Sequence, residues 1–269
     1  MTAIQARATH VHTSSSHVSF GRQLRSELIK LLSVRGTWWS VAIVAVLTIG
    51  VAVLFAANLP TGMGNPIMVI VSPVQFTMLL AGILGVISVT GEYSTGMIRS
   101  TLTANPVRGG VLAAKAAVLG AFLFVISLVI FLVATVIVMP ILASNGTPFD
   151  LADPSATILP ILAASASMAL FALLGVGIGF LLRSGAGAIA VTVGIIFVLP
   201  VILTLLSAFL PDLTWLIDAA DYLPASVAPA AILPDENQPI SAPVAWLTLG
   251  AWAAAALAAG WAVLRTRDA

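Results

Sequence analysis

Residues 36–91 read GTWWSVAIVAVLTIGVAVLFAANLPTGMGNPIMVIVSPVQFTMLLAGILGVISVTG, a stretch of 56 residues without one charged side chain. A single helix of this length would extend about 84 Å at about 1.5 Å per residue, far beyond the roughly 30 Å core of a bilayer. The chain therefore has to turn back, and turn-forming residues gather between Asn58 and Pro66. The stretch predicts two membrane-spanning helices.

The rest of the chain has the same character. Of its 269 residues, 60% are hydrophobic and 8% are charged, against roughly 25% charged in an ordinary soluble domain. A water-soluble globule is excluded. Four more charge-free stretches, 116–149, 154–182, 184–211 and 237–264, are each long enough to cross a bilayer. The predicted fold class is an all-α membrane protein with six transmembrane helices, near 38–57, 74–91, 112–139, 157–182, 187–210 and 244–264.

The charges divide between the two sides that these spans define. All eleven basic residues fall on the side of the N-terminus, together with three acidic residues, so that side carries a formal charge of +8. Seven acidic residues fall on the other side, which carries −7. Because short loops rich in Lys and Arg stay in the cytoplasm, the sequence predicts a multi-pass protein of the plasma membrane with both termini cytoplasmic. The basic residues are Arg7, Arg22, Arg25, Lys30, Arg35, Arg99, Arg108, Lys115, Arg183, Arg265 and Arg267.

The N-terminal region divides into two parts before the transmembrane domain of residues 37–269. Residues 1–19 form a polar segment with all three histidines, which we expect to be a flexible cytoplasmic tail rather than a metal site. Residues 20–36 place leucines at helical spacing among basic residues, which predicts an amphipathic helix in the inner interface. That helix either anchors the chain to the lipid surface or contacts a partner subunit.

Several function classes are disfavoured by residues that the sequence lacks. The central parts of the six predicted spans contain no Asp, Glu, Lys, Arg or His, which disfavours ion-coupled transport and intramembrane hydrolysis. Neither lysine follows a glycine, so there is no phosphate-binding loop, and there is no cysteine. We therefore expect a protein that is not an enzyme and has no cofactor of its own. Energy for uphill transport would have to come from another chain.

The most distinctive polar segment is 90–115, between the second and third predicted spans. Gly91 is expected to end the second span, with Glu92 near the start of a short cytoplasmic helix, where a carboxylate suits the helix dipole. Asn105 and Pro106 would stop that helix. We expect Glu92 to pair with one of the three following cations, which are Arg99, Arg108 and Lys115. The alternative is a loop whose charges only set the orientation of the chain.

This segment resembles the cytoplasmic signature of the ABC-2 type permeases, the membrane subunits of bacterial ABC exporters. The resemblance rests on the pair Gly91-Glu92 and on Gly96, Arg99, Leu102, Pro106, Arg108 and Lys115, although Met97 stands where a small or hydroxyl residue is commoner. The layout agrees: a basic amphipathic helix, six spans and a longer outer segment before the last one. In that family the loop is a coupling helix that sits in a groove of the ATP-binding subunit. The resemblance implies this role here for Glu92, Tyr93, Arg99, Leu102, Pro106 and Arg108.

The resemblance also implies the partners and the activity. Two permeases, identical or related, would assemble with two ATP-binding cassette ATPases, which bind ATP and Mg²⁺, in a bacterial plasma membrane. The complex would export a hydrophobic or amphipathic substrate such as a drug, an antibiotic or a lipid, and no nucleic acid is expected as a partner. The alternatives are a passive or ion-coupled transporter and a non-transport membrane scaffold or assembly protein. Association with an ATP-binding subunit would discriminate between them.

In related exporters the second and fifth spans face the dimer axis. By that resemblance the candidates for the substrate path are Phe76, Met78, Phe197, Pro200 and Thr204. Pro200 removes an intrahelical hydrogen bond and predicts a kink in mid-membrane. The alternative for the aromatic and Met side chains is ordinary packing.

Two further patterns concern packing and the outer segment. Gly175, Gly177 and Gly179 lie inside an apolar span, where small residues let two membrane helices approach closely, and Ala253 through Ala256 have the same character. The outer segment 211–243 predicts a short amphipathic or re-entrant helix that ends before Pro224. This helix either caps the exit of a pathway or only connects the fifth and sixth spans.

Overall fold

The computed structural model describes residues 19–60, 65–104, 107–149, 153–210, 212–235 and 237–266. Within these ranges the regular structure is helical, and no strand occurs in them. In chain order the helices are α1 (Phe20–Ser33), α2 (Arg35–Asn58), α3 (Pro66–Val71), α4 (Val74–Ser94), α5 (Met97–Ala104), α6 (Arg108–Ser144), α7 (Pro154–Leu182), α8 (Gly185–Val193), a π-helical segment (Gly194–Val198), α9 (Leu199–Phe209), α10 (Thr214–Asp221), α11 (Pro224–Ile232) and α12 (Ala242–Thr266).

Six helical segments are long and apolar enough to cross a membrane, which confirms the predicted span count. They are Arg35–Asn58, Pro66–Ser94, Arg108–Ser144, Pro154–Leu182, Gly185–Phe209 and Ala242–Thr266. Each observed segment overlaps a predicted span, and the fifth ends at Phe209, one residue before its predicted end. The predicted tail 1–18, and residues 61–64 of the predicted turn, lie outside the described residues.

The second span begins earlier than predicted and is interrupted. The side chain of Asn65 accepts a hydrogen bond from the backbone N–H of Ile67 at 3.1 Å and so caps α3. Pro73, which has no N–H, then separates α3 from α4. The prediction placed the start after the prolines. Instead, α3 is mostly buried and belongs to the same apolar segment as α4, so it forms the first turns of this span.

The centre of the bundle is α7, which packs against α4, α6 and α12. Glycines make these approaches possible. A Cβ added to Gly175 would collide with the Gly82 carbonyl of α4, and one added to Gly177 would collide with the backbone of Ala256 in α12. The prediction that small residues in this span serve close helix packing is therefore confirmed.

The fifth span is a composite of α8, the π-helical segment and α9. The N–H of Leu199 donates to the carbonyl of Gly194, five residues back. Pro200 follows directly, and because its ring lacks an N–H and crowds the preceding turn, a wider turn relieves it. The distortion that Pro200 predicts therefore takes the form of a π-helical turn. The following helix α9 buries none of its side chains within this chain.

The outer segment folds back along the bundle as two helices. The indole N–H of Trp252 donates to the carbonyl of Tyr222 at 3.0 Å, so the end of α10 lies about 15 Å along α12 from its first residue, at about 1.5 Å per residue. The helix α11 is mostly buried and packs against α7 and α12. The prediction located the first of these helices and missed the second.

Candidate functional site

Four charged side chains from three helices meet at one end of the bundle. The ammonium of Lys115 in α6 lies 2.6 Å from Glu27 Oε2 in α1 and 2.9 Å from Glu92 Oε1 in α4. The ammonium of Lys30 in α1 lies 2.7 Å from Glu27 Oε1 and 3.0 Å from Glu92 Oε1. We call these four residues the α1 ion-pair cluster. It joins α1, α4 and α6 through two positive and two negative charges.

Three of the four side chains are almost fully withdrawn from solvent. The exposed fractions are 6% for Lys115, 8% for Glu27 and 9% for Glu92, while Lys30 retains 30%. Buried ions are tolerated when each has a partner, and removal of one partner typically costs about 3–5 kcal/mol because an uncompensated charge remains. The cluster is therefore a specific link between α1 and the spans rather than a solvated surface network.

The charges in α1 stabilise each other's ionised forms. Burial by itself would raise the pKa of Glu27, but the ammonium groups of Lys115 and Lys30 outweigh burial and hold that pKa below its usual value. Burial likewise opposes the charged form of Lys30, yet its hydrogen bonds to Glu27 and Glu92 raise the Lys30 pKa above its usual value. Both groups remain charged at neutral pH.

Glu92 occupies a different helical position from the one predicted. The helix α4 continues through Gly91 and Glu92 and ends at Ser94, and the turn is made by Gly96, whose φ is +71°. The prediction that Gly91 ends this span, with Glu92 at the start of the next helix, was wrong. A carboxylate in a last helical turn is disfavoured by the helix dipole, and here the two lysine ammonium groups compensate for it.

The prediction that Glu92 pairs with one of three cations is confirmed for Lys115. Arg108 instead donates to the carbonyl oxygen of Leu264, at 2.8 Å, near the end of α12. Arg183 donates to the carbonyl of Val263 at 3.0 Å. Both arginines thus donate hydrogen bonds to carbonyls near the C-terminal end of α12, where a positive charge interacts favourably with the helix dipole. These contacts bring α1 and the end of α12 to the same end of the bundle.

The short helix α5 has an inner and an outer face. Ile98 is 3% exposed, and Leu102 packs against the core. The Lys30 ammonium lies 3.5 Å from the hydroxyl of Thr101, which connects α5 to the ion-pair cluster. Arg99 and Thr103 are exposed. Of the predicted coupling residues, Leu102 anchors α5 and Arg99 faces outward, while Pro106 lies outside the described residues.

Tyr93 lies beside the cluster and contacts the end of α7. Its ring meets Phe180 edge-on at a centroid distance of 6.5 Å, and the guanidinium of Arg183 lies 5.4 Å from its centroid. Arg183 has a left-handed backbone, φ 54°, where it ends α7. The last turn of α4 is therefore fixed on two sides, by the cluster and by the end of α7.

A groove of about 470 Å³ opens next to the cluster. We call it the α1 groove. It lies between α1, the start of α2, the last turns of α4 and the start of α6, and all four cluster residues line it. Other lining residues include Val34, Ser40, Ile87, Ser88, Thr95 and Val118.

The residues predicted for a substrate path lie in different environments. Met78 is 3% exposed and belongs to the core. Phe76 and Phe197 are 59% and 58% exposed on the single chain. Thr204 donates its hydroxyl to the carbonyl of Pro200 at 2.8 Å, and Pro200 is half-buried. None of the five lines the α1 groove.

The ion-pair cluster was not predicted in full. The residues of the cluster are distant from each other in sequence, so the sequence contains only indirect signs of it. Glu27 is the one acidic residue in a basic segment and lies three residues before Lys30, and Lys115 is a charge inside the start of a long apolar stretch. Among the described residues, no group of three or more His, Cys, Asp or Glu side chains could hold a metal ion. The three histidines lie outside the described residues.

A comparison of the chain with protein-family models found no match, and a comparison with curated proteins found none either. The fold and the site therefore define a class only: a six-span helical membrane protein with a buried ion-pair cluster at one end.

Proposed function

We propose that the chain is the permease subunit of an ATP-binding cassette exporter of the ABC-2 type. It would move a hydrophobic or amphipathic substrate, such as a drug, an antibiotic or a lipid, out of a bacterial cytoplasm. The observation that carries this proposal is the short helix α5. It follows the second long apolar segment and is connected through Thr101 and Lys30 to the α1 ion-pair cluster.

The arrangement supports mechanical coupling. A partner that displaces α5 would displace the end of α4, because only Thr95 and Gly96 separate them. Since Glu92 in that last turn pairs with Lys30 and Lys115, the displacement would reach α1 and α6 as well. Arg99 and Thr103 on the exposed face of α5 would contact the ATPase, and Ile98 and Leu102 would transmit its movement to the bundle.

Charge placement supports the orientation. The end of the bundle with the ion-pair cluster, Arg108 and Arg183 would face the cytoplasm, because all eleven basic residues belong to that side in the six-span topology. Both termini would then be cytoplasmic, and α1 would lie in the inner interface. ATP and Mg²⁺ would bind to the partner ATPase, for the sequence has no phosphate-binding loop.

The exposed fifth span supports assembly with a second permease, identical or related. Because α9 buries none of its side chains and Phe197 is exposed, this span has a free apolar face in the single chain. A second permease would cover part of it, with Phe76 and Phe197 near the shared axis, and lipid would cover the remainder.

The test is reconstitution with candidate ATP-binding cassette ATPases from the same organism. We expect the wild-type permease to bind one of these ATPases and to change its turnover severalfold in response to substrate. The variant Arg99→Glu reverses the charge on the exposed face of α5 and should reduce both effects at least tenfold. The matched control is Arg35→Glu, another exposed cation outside α5.

Other outcomes identify the alternatives. Substrate flux through vesicles that contain the purified chain without ATP would indicate a passive or ion-coupled transporter. An ATPase that responds neither to the permease nor to substrate would indicate a scaffold or assembly protein. Equal losses in Arg99→Glu and Arg35→Glu would contradict a specific role for α5.

A further inference from the structure

The α1 groove has mostly apolar walls, and the charged residues of the cluster form part of its lining. Leu84 and Ile87 of α4 and Val118 of α6 contribute apolar surface, and the cluster residues lie beside them. A volume of about 470 Å³ falls within the range of small-molecule sites in proteins. The groove can therefore accommodate a molecule with an apolar body and one polar head.

Four of the hydroxyl groups in the groove already donate their protons to backbone carbonyls three or four residues earlier in the chain. The hydroxyl of Ser40 donates to Gly36 O at 2.9 Å and that of Ser88 to Gly85 O at 2.7 Å. The hydroxyls of Ser33 and Thr95 donate to Lys30 O and Gly91 O, at 3.0 and 2.9 Å. Each hydroxyl oxygen keeps lone pairs, so these four side chains offer acceptors to a ligand.

Glu92 adds a stronger acceptor. Its Oε1 accepts from both lysine ammonium groups, whereas its Oε2 is buried and has no hydrogen-bond partner among the residues that the structure describes. The Glu92 side chain is 9% exposed. A buried carboxylate oxygen without a donor is unfavourable, and a ligand that brings a donor to it gains a charge-assisted hydrogen bond.

The charges of the cluster select the kind of donor. Two carboxylates and two ammonium groups balance, so a cationic head would leave one uncompensated charge beside a largely buried cluster, which is unfavourable. An anionic head would meet the Glu92 carboxylate and hydroxyl acceptors without donors to offer. A neutral head with several O–H groups satisfies the acceptors and leaves the balance unchanged.

We propose that the α1 groove is a binding site for a neutral amphiphile whose head carries several hydroxyl groups, such as a sugar or polyol on an alkyl chain. The site is separate from the predicted path residues Phe76, Phe197 and Thr204, none of which lines the groove. The proposal does not rest on the export function, because binding to the groove requires no ATPase.

The first experiment measures ligand binding in variants whose larger side chains occupy part of the groove. Tritiated octyl glucoside, below its micelle concentration, is bound to the full chain in phosphatidylcholine nanodiscs, and empty nanodiscs give the background. Gly91 lines the groove, and a Cβ there meets no atom within 4 Å, so Gly91→Leu adds bulk from a position where the first added carbon has room. Ser40→Leu adds bulk to the groove from a different helix, α2. The matched control is Gly50→Leu, in α2 away from the groove, where a Cβ also meets nothing.

We expect both groove variants to weaken octyl glucoside binding at least tenfold and Gly50→Leu to leave it unchanged. Wild-type affinity in both groove variants would overturn the proposal, and so would an equal loss in Gly50→Leu. Circular dichroism and a single symmetric gel-filtration peak verify that each variant is folded.

The second experiment tests the head group. Unlabelled octyl glucoside, octylammonium and octyl sulfate compete for the labelled site at equal free concentration. We expect the neutral sugar head to displace the label at least tenfold more strongly than either charged head. Equal displacement by all three would show that the groove accepts any alkyl chain and would refute the hydroxyl-rich ligand. Because no ATPase is present, failure here leaves the proposed export function untouched, and failure of the ATPase test leaves this site untouched.

Discussion

Lys115 shows at the scale of one residue how the charged end of the bundle is held together. It is the eighth residue of α6, its side chain is 6% exposed, and its ammonium reaches carboxylates of both α1 and α4. A lysine so deeply placed is stable only because the two partners compensate for its desolvation. The same contacts leave Glu92 Oε2 as the one cluster oxygen that is buried and unsatisfied among the described residues.

Replacement of Lys115 by Met tests this arrangement. Lys115→Met leaves two buried carboxylates with only Lys30 between them, so we expect the free energy of unfolding to fall by about 3–5 kcal/mol. Lys30→Met should cost less, because Lys30 is 30% exposed and water can take over part of its role. Unfolding by sodium dodecyl sulfate in mixed micelles measures both.

The control for this prediction is a second substitution in the same cluster. Adding Glu27→Gln to Lys115→Met removes one of the stranded charges, so the double variant should recover part of the lost stability. A double variant that is less stable than Lys115→Met by the full cost of Glu27→Gln alone would contradict an interaction between the two residues.

At the scale of elements, α7 organises the bundle through its glycines. Its contacts with α4 and α12 bring backbones together at Gly175 and Gly177, and a Cβ on Gly260 of α12 would lie 2.7 Å from the Gly177 carbonyl oxygen. Backbone cannot move aside as a flexible side chain can. The φ values of these glycines are ordinary for a helix, so the backbone conformation does not require glycine. Glycine is required because a neighbouring backbone lies too close for a Cβ.

The variant Gly177→Ala tests that close approach. The added methyl would collide with the Ala256 backbone, and overpacking of this kind typically costs about 1–3 kcal/mol. In the control Gly250→Ala, on α12, the added Cβ meets nothing within 4 Å, and the stability should be unchanged or slightly higher because Ala favours helix. Unfolding in mixed micelles compares the two, and equal stabilities would contradict glycine-dependent packing of α7 on α12.

At the scale of the whole molecule, the contacts of Arg108 with Leu264 and of Lys115 with Glu27 bring both ends of the described chain to one end of the bundle. An even number of spans gives the same result. The opposite end carries the outer segment, in which Asp218 and Asp221 belong to the part that folds back along α12. The absence of charged residues that the sequence analysis describes concerns the central parts of the six spans. It does not extend to the outer segment, whose helix α10 contains these two aspartates.

The orientation of the molecule is testable because the sequence contains no cysteine. Thr266→Cys places a thiol at the exposed end of α12, and Asn237→Cys places one in the exposed outer segment. Since the positive side stays in the cytoplasm, an impermeant maleimide should label Asn237→Cys in intact cells and Thr266→Cys only after permeabilisation. The reverse pattern would overturn both the orientation and the cytoplasmic position of α5.

Much of the architecture is predictable because its causes are local. Span number follows from charge-free length, and the glycine and alanine positions on α7 and α12 follow from residue size. The break at Pro73 and the helix α11 were missed, because an apolar stretch with prolines gives no periodic signal that separates a spanning segment from a short buried one. The position of Glu92 was misjudged because a glycine inside a membrane helix does not have to end it.

The sequence by itself determined the six-span helical class and the separation of charge between its two sides, since both depend on the transfer of single side chains into a bilayer. Only the tertiary structure decided which charges meet. Glu27, Glu92 and Lys115 lie up to 88 positions apart, and their pairing depends on how α1, α4 and α6 pack. The α1 groove has the same origin, because a cavity exists only where packed helices leave space between them.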